Sequence, residues 1–333
     1  MTSVGARAAV GGAGAHPSRS RPVLGLDIGG TKMAAGVVDA DGRVDGFVVA
    51  PTDAERGPRD GLERLFALGQ SAVTASGAAT EEIAGIGIGC GGPLDSARGV
   101  LIAPLHLPGW TDVPIADLAA ASFDLAAVLE NDATAAAAAE HRYGAGRGTR
   151  NMVYLTVSTG VGGGVVIDGR LFRGSTGNGG ELGHVTVDWH GRRCLGCGRR
   201  GCLEAYASGT SIAERAREQG MDVASSADVA AAALAGDVVA TRVWDETCEA
   251  LACGITSLAN LFEPELVVIG GGVSRAGEQL LGPVRELVHA QAIGPHGRKV
   301  GIVQAALGDA VGVVGAAAVA YERLGSGAAS GER

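Results

Sequence analysis

A short pattern occurs twice in the chain and constrains its fold more than any other feature. Val23–Ile28 is an apolar run that ends in Gly29-Gly30-Thr31-Lys32. Residues 33–38 follow, and the turn Asp39-Ala40-Asp41-Gly42-Arg43 leads to a third run over 44–50. Further on, Met152–Val157 ends in Ser158-Thr159-Gly160-Val161-Gly162-Gly163-Gly164, after which Val165-Val166-Ile167 meets Asp168-Gly169-Arg170. Each copy reads as a strand, a glycine turn bearing a threonine, a returning strand and an Asp-Gly-Arg turn. Two similar domains facing a shared ligand would show such a doubling.

The rest of the chain alternates helices with strands. Leu62, Leu65, Phe66 and Val73 recur at helical spacing over 58–76, residues 83–89 read as a buried strand, and 126–129 as another that runs into Glu130-Asn131-Asp132. An alanine-rich helix is expected over 133–143, and further helices over 204–219, 227–234 and 239–262. A strand at 266–269 meets Gly270-Gly271-Gly272, and residues 311–324 form a last helix that is apolar nearly all round. This alternation argues for an α/β fold. The chain has 333 residues, 46% of them hydrophobic, enough for two medium domains around one cleft.

Charge narrows the partners. A formal net charge of −9 argues against a nucleic-acid backbone as the main ligand, since that needs clustered cations. It leaves room for small anions, which backbone amides and a single lysine hold without a basic surface. No apolar run approaches a membrane span of roughly 20 residues. Residues 1–21 lack a continuous apolar segment and read as a flexible leader, not a secretory signal. Six cysteines in a chain this long do not suggest a disulfide scaffold, and three crowd together at Cys194, Cys197 and Cys202. That crowding suits a metal site in a reducing cytoplasm.

Several strings carry chemistry. In Asp27-Ile28-Gly29-Gly30-Thr31-Lys32 the glycines admit an anion to the backbone, Thr31 offers a hydroxyl, Lys32 a cation, and Asp27 a ligand for a divalent ion. The plain alternative is a hairpin with a surface lysine. The turns Ser158–Gly164 and Gly270–Gly272 have the same two readings, phosphate cradle or tight turn. A GxGxxG at Gly87, Gly89 and Gly92 hints at a dinucleotide site, but no helical periodicity follows it and the reading is rejected. Asn131-Asp132 at a strand-to-helix junction is either an N-cap or a general base at a cleft wall. His184, Cys194, Cys197 and Cys202 are zinc's preferred ligand types at chelating spacing, with reduced loop thiols as the alternative. The neighbouring Arg192, Arg193, Arg199 and Arg200 read as a solvated loop.

Together these strings resemble the ROK family of repressors, open reading frames and sugar kinases, in particular its bacterial glucokinase branch. The most specific part is Gly179-Gly180-Glu181-Leu182-Gly183-His184 followed by Cys197-Gly198-Arg199-Arg200-Gly201-Cys202-Leu203-Glu204; Leu107-Pro108-Gly109-Trp110 and Glu130-Asn131-Asp132-Ala133 match as well. The resemblance implies an actin-like (ribonuclease H-like) two-domain ATPase fold with an interdomain cleft. The small domain would hold 22–132 plus the terminal helix 311–324, and the large domain 133–310 with a zinc-binding loop. It also implies phosphorylation of the 6-hydroxyl of a hexose, glucose first, by MgATP. Asp132 would take the proton, while Asn131, Glu181, His184 and Glu204 would bind the sugar hydroxyls. Asp27, Gly29, Gly30, Thr31, Lys32, Thr159, Gly160, Gly271 and Gly272 would meet the nucleotide and its metal. Structural zinc would take His184, Cys194, Cys197 and Cys202, and the assembly would be a cytoplasmic homodimer or homotetramer.

The chain departs from the family pattern at several places. Two residues, Leu195 and Gly196, separate the first two cysteines where one is usual, which makes Cys194 the weakest expected ligand. Gly91 stands where a proline is common, His106 where an asparagine is frequent, and Thr134 in place of Asn or Gly. The last three leave the hexose open among glucose, mannose, fructose and N-acetylhexosamines. A sugar-sensing repressor is a competing reading, but the residues before the first strand have no apolar periodicity for a DNA-reading helix-turn-helix. A zinc oxidoreductase is a third, and four protein ligands would leave its metal no open position.

Overall fold

The computed structural model describes residues 21–327. The expected leader therefore lies outside the described residues, apart from Arg21. Its first part runs β1 (Val23–Ile28), β2 (Lys32–Val38), β3 (Val44–Pro51), α1 (Gly57–Ser76), β4 (Ile86–Cys90), the short pair β5 (Leu94–Asp95) and β6 (Val100–Leu101), α2 (Ile115–Phe123) and β7 (Ala127–Asn131). Then come α3 (Asp132–Tyr143), β8 (Met152–Val157), β9 (Val161–Ile167), β10 (Arg170–Leu171), α4 (Glu204–Ala207), α5 (Gly209–Glu218), α6 (Ser226–Leu234) and α7 (Val238–Phe262). The chain continues through β11 (Leu266–Gly270), α8 (Glu278–Gln291), α9 (Gly294–Gly297), β12 (Gly301–Gln304) and α10 (Val311–Gly327).

Two five-stranded sheets result, ordered β3-β2-β1-β4-β7 and β10-β9-β8-β11-β12. In both, the first strand pairs antiparallel with the second and parallel with the fourth, so the repeat extends to the whole sheet. This duplicated order is the actin-like one that the sequence led us to expect. Register then does the positioning. Ile28 lies beside Cys90 and Cys90 beside Asn131, so β1, β4 and β7 end together. Gly270 lies beside Thr156 and Ile269 beside Gln304, so β8, β11 and β12 also end together. Carboxyl ends of parallel strands are where α/β sheets bind ligands.

Burial follows the same division. One core gathers Leu24, Leu26, Ile88 and Leu129 of the first sheet with Leu65 of α1 and Ile115 and Phe123 of α2. The other gathers Val153, Leu155, Val267 and Ile302 with α5 to α8. Between the sheets, α10 packs on the first and α3 on the second, and the two helices lie against each other. Their contact is close because it is made of alanine and glycine: Ala135, Ala138 and Ala318 are all buried. Gly87 belongs to this packing. A β-carbon there would run into the Ala316 carbonyl of α10, which explains the first glycine of the rejected GxGxxG string.

Three local expectations needed correction. The helix over 204–219 is two helices, because Ser208 is extended (ψ 149°) and its hydroxyl caps α5 by accepting from Ser211 N at 3.1 Å. The strand over 83–89 begins only at Ile86, since Thr80–Glu82 is a 3₁₀ turn. Helix α2 was not anticipated. Among the described residues no helix is long and apolar enough to cross a membrane.

Glu140 of α3 is fully buried, yet it is well served: its carboxylate accepts from Ala145 N (2.8 Å), Ala306 N (2.9 Å) and Leu307 N (2.9 Å). It thereby ties α3 to the segment after β12. Glu140→Ala would leave three part-buried N–H groups without their carboxylate partner, and we expect a loss of about 3 kcal/mol in denaturant unfolding. A loss below about 1 kcal/mol would show that water replaces the carboxylate.

Candidate active site

A cavity of about 410 Å³ opens where the two sets of strand ends face each other. Asp27 and Lys32 line it from the first sheet, Asp132 from the start of α3, and Tyr154, Thr156, Ser158 and Gly270–Gly272 from the second sheet. Gln304, Ala305, Asp309 and Gly312 complete the wall. Each of the three glycine turns thus contributes to the wall, but only the third does so through its glycines. Gly29, Gly30, Thr31, Thr159 and Gly160 are not among the wall residues. The first turn is closed by Gly29 N donating to Lys32 O at 2.9 Å, and Thr31 O accepts from Thr52 N.

Asp27, Asp132 and Asp309 are the cavity's carboxylates, and Lys32 and Arg275 its cations. Burial, and then the negative charge of Asp132, push the Asp27 carboxyl up to about 7, against the pull of Lys32. Burial also raises Asp132; the Ala133 N–H and the His106 charge oppose it. Asp132 remains open to the cavity and accepts from Ala133 N at 2.7 Å. With Asp309 paired to Arg275, Asp27 and Asp132 against Lys32 leave one formal negative charge at the cavity, which fits a divalent cation accompanying a phosphorylated ligand.

Asn131 satisfies the plain reading of its position. It is the N-cap of α3, and its side-chain oxygen accepts from Ala133 N (3.0 Å) and Thr134 N (3.1 Å). The side-chain NH₂ is not used by the cap. Before it, Glu130 is fully buried and paired with Arg173 (2.7 Å) and with Arg323 of α10 (3.4 Å). The end of β7 is therefore clamped to the loop that leads to Glu181.

A second cluster sits beyond the Ser158–Gly164 turn. Glu204, at the start of α4, accepts from Val161 N at 3.0 Å and from the Cys194 thiol at 3.1 Å, so it joins that turn to the cysteine loop. His184 uses its two ring nitrogens in different directions: Nε2 lies 3.9 Å from Glu181 Oε2, and Nδ1 lies 3.8 Å from Cys194 Sγ. Cys197 and Cys202 approach to 3.5 Å. One ligand atom from each of His184, Cys194, Cys197 and Cys202 lies within 4.8 Å of the others. Four-coordinate zinc with S ligands at about 2.3 Å spaces its sulfurs by about 3.8 Å, so this donor set fits a tetrahedral ion. Cys194 falls inside the group despite the longer gap before Cys197.

Several wall residues escaped sequence reasoning. Thr156, a polar side chain near the end of an apolar strand, left a signal. Tyr154, Gln304 and the Arg275–Asp309 ion pair (2.6 Å) at the cavity mouth left none, because only the parallel pairing of β8, β11 and β12 brings them together.

Comparison with known proteins gives consistent results. The family model described as "ROK family" matches residues 23–323. A glucokinase from Thermotoga maritima is 37% identical over 91% of this chain and 98% of its own length. The crystal structure of a ROK hexokinase from Thermus thermophilus is 39% identical, with a TM-score of 0.79, over 92% of this chain and 99% of that one. A ROK family glucokinase from Streptomyces griseus, solved with glucose and AMPPNP, is 34% identical with a TM-score of 0.77, over 90% and 99%. With a family match over nearly all the described residues and relatives this similar at full length, the chain belongs to the ROK family.

Proposed function

We propose that the protein is an ATP-dependent hexokinase that phosphorylates the 6-hydroxyl of glucose, with Asp132 as general base. The observation that carries this reading is the carboxylate of Asp132, open to a cavity whose opposite wall is the Ser158 and Gly270–Gly272 turns. The Thermotoga and Streptomyces relatives, named as glucokinases, support the choice of sugar.

In this reading the sugar lies between Asp132 and the Glu181, His184 and Glu204 group. Carboxylates, an imidazole and the NH₂ of Asn131 exchange hydrogen bonds with its hydroxyls, and a site so built penalises analogues lacking them. Asp132 accepts the proton of the 6-hydroxyl as that oxygen attacks the terminal phosphorus, whose bond to the bridging oxygen breaks so that ADP leaves. The Gly29-Gly30-Thr31, Thr159-Gly160 and Gly271-Gly272 turns, through backbone N–H groups not spent inside them as Gly29 N–H is, take up charge on the phosphate oxygens together with Lys32. The magnesium ion that accompanies ATP supplies further neutralisation, and Asp27 is the residue to hold it. We assign residues 22–132 with 311–324 to a small lobe and 133–310 to a large one, closing on each other through the α3–α10 contact. Structural zinc is held by His184, Cys194, Cys197 and Cys202. The enzyme works in the cytoplasm, as a homodimer or homotetramer, and needs no nucleic acid.

The test is phosphoryl transfer to glucose, mannose, fructose and N-acetylhexosamines, each with ATP and with polyphosphate as donor. Glucose with ATP should give the highest kcat/KM. A clear preference for another hexose would reassign the substrate, and no turnover on any sugar would end the reading.

A further inference from the structure

We infer that Arg173 is a positioning residue for the sugar: its guanidinium grips the end of β7 beside Asn131, while its backbone closes the loop that carries Glu181. The inference rests on the hexokinase reading above and adds a residue to it. Arg173 follows β10 at the start of the loop that leads to Glu181. On one side its Nε donates to Glu130 Oε2 at 2.7 Å. Glu130 is fully buried, and its other oxygen accepts from Asn131 N at 3.2 Å. The same carboxylate therefore touches both Arg173 and the residue whose NH₂ the helix cap leaves unused. On the other side Arg173 O accepts from Gly179 N at 2.8 Å, which closes residues 173–179 into a loop. A β-carbon on Gly179 would fall 2.8 Å from Arg173 C and from Gly174 N, so the closure leaves no room for a side chain there. Glu181 follows two residues later.

Further contacts fix the guanidinium itself. Nη1 and Nη2 donate to the two Glu322 carboxylate oxygens of α10 at 3.1 and 3.2 Å, a bidentate pair. Arg323, the next residue of α10, donates to Glu130 at 3.4 Å and to the carbonyls of Leu129 (3.1 Å) and Ser96 (2.9 Å). In the lobe assignment above, Arg173 belongs to the large lobe and Glu130, Glu322 and Arg323 to the small one. One side chain thus sets the distance between the two halves of the sugar site, Asn131 on one lobe and Glu181 on the other. Without it the loop over 173–181 is released from β7 and α10, and Glu181 loses its register against Asn131. Asp132 should be disturbed less, because the Asn131 cap and the Ala133 N–H hold it to α3. The phosphate side of the cavity, at Lys32, Ser158 and Gly270–Gly272, is built on other elements.

The experiment is a double-mutant cycle between Glu130 and Arg173 on the full chain, read as the KM for glucose, the KM for ATP, kcat and thermal unfolding. We expect R173A to raise the KM for glucose by about 10- to 100-fold, with a smaller fall in kcat and the KM for ATP changed by less than about threefold. R173K keeps the cation but cannot hold Glu130 and both oxygens of Glu322 at once, so it should restore glucose binding only in part. E130Q should raise the KM for glucose in the same sense, and E130Q with R173A should be no worse than the worse single variant. Independent, multiplying effects would overturn the pairing. Equal rises in the KM for glucose and for ATP would mean a general loosening of the fold and would overturn the positioning role, as would an unchanged KM for glucose in R173A. Should R173A not fold, R173K and E130Q decide: a KM for glucose unchanged in both overturns the inference. If the unaltered protein phosphorylates no hexose, the hexokinase reading fails and takes this one with it. An active protein whose glucose KM ignores both Arg173 and Glu130 sinks this inference alone.

Discussion

Asp132→Asn should cut kcat by about 10²–10⁴-fold, the range a positioned general base contributes, with much less effect on the KM for glucose. The substitution is nearly isosteric. An asparagine oxygen can still accept from Ala133 N, as Asp132 Oδ1 does at 2.7 Å, and the Asn131 cap of α3 is untouched. Helix, cavity and sugar contacts therefore survive while the proton acceptor is lost, which separates chemistry from binding. The unaltered enzyme should report the same group through pH. Burial raises Asp132 above the ordinary carboxylate value of 3.8, so the ionised base is present above that raised pKa and lost as pH falls through it. The acid limb of kcat/KM should accordingly lie above the ordinary carboxylate value, and Asp132→Asn should remove the Asp132 contribution to it while leaving that of Asp27. Near-normal turnover in that variant, with folding verified, would exclude Asp132 as the base.

How far the sequence alone foretells this site depends on whether each feature is local. The turns at Gly29–Lys32 and Ser158–Gly164 were legible because a strand, its glycines and the returning strand are contiguous, and the doubling extended correctly to both sheets. Parallel neighbours are different. Nothing local tells β11 to lie beside β8, so the convergence of Gly270 with Thr156, and of Gln304 with both, required coordinates. Glu140 shows the same limit: a glutamate in an alanine-rich helix looks like a solvated residue until its three backbone donors are seen. The break at Ser208 was hidden because apolar periodicity continues across it, and the cap that ends α4's extension is a single hydroxyl. Gly91 and His106 were visible only as two separate departures from a family pattern, although a β-carbon on Gly91, just past the end of β4, would fall 2.5 Å from His106 Cε1 in a distant loop.

Of the expected results, removing the proposed zinc should have the largest effect on stability. The loop carrying Cys194, Cys197 and Cys202 is tied at its base by the Arg192–Glu218 pair and by Leu203 in the large core, but its own apolar cluster is small: Cys194, Cys202 and Ala205, with Tyr206 partly covered, while Trp189 is 78% and Leu195 61% exposed. So small an apolar core stabilises a loop of this length poorly, and a structural metal supplies the deficit in such cases. Metal analysis of the purified protein should find about one zinc per chain if the four-ligand site is filled. Chelation should lower Tm by roughly 6 °C, which for a chain of this size corresponds to about 4 kcal/mol. Cys202→Ser keeps the shape of the side chain but replaces the thiolate, and should give a similar fall that chelator does not deepen. Because Glu204 and His184 touch Cys194, both treatments should also raise the KM for glucose before they change kcat. Zinc-free protein with an unaltered Tm, or a Cys202→Ser variant that still loses stability to chelator, would mean that the four side chains meet for packing and not for a metal.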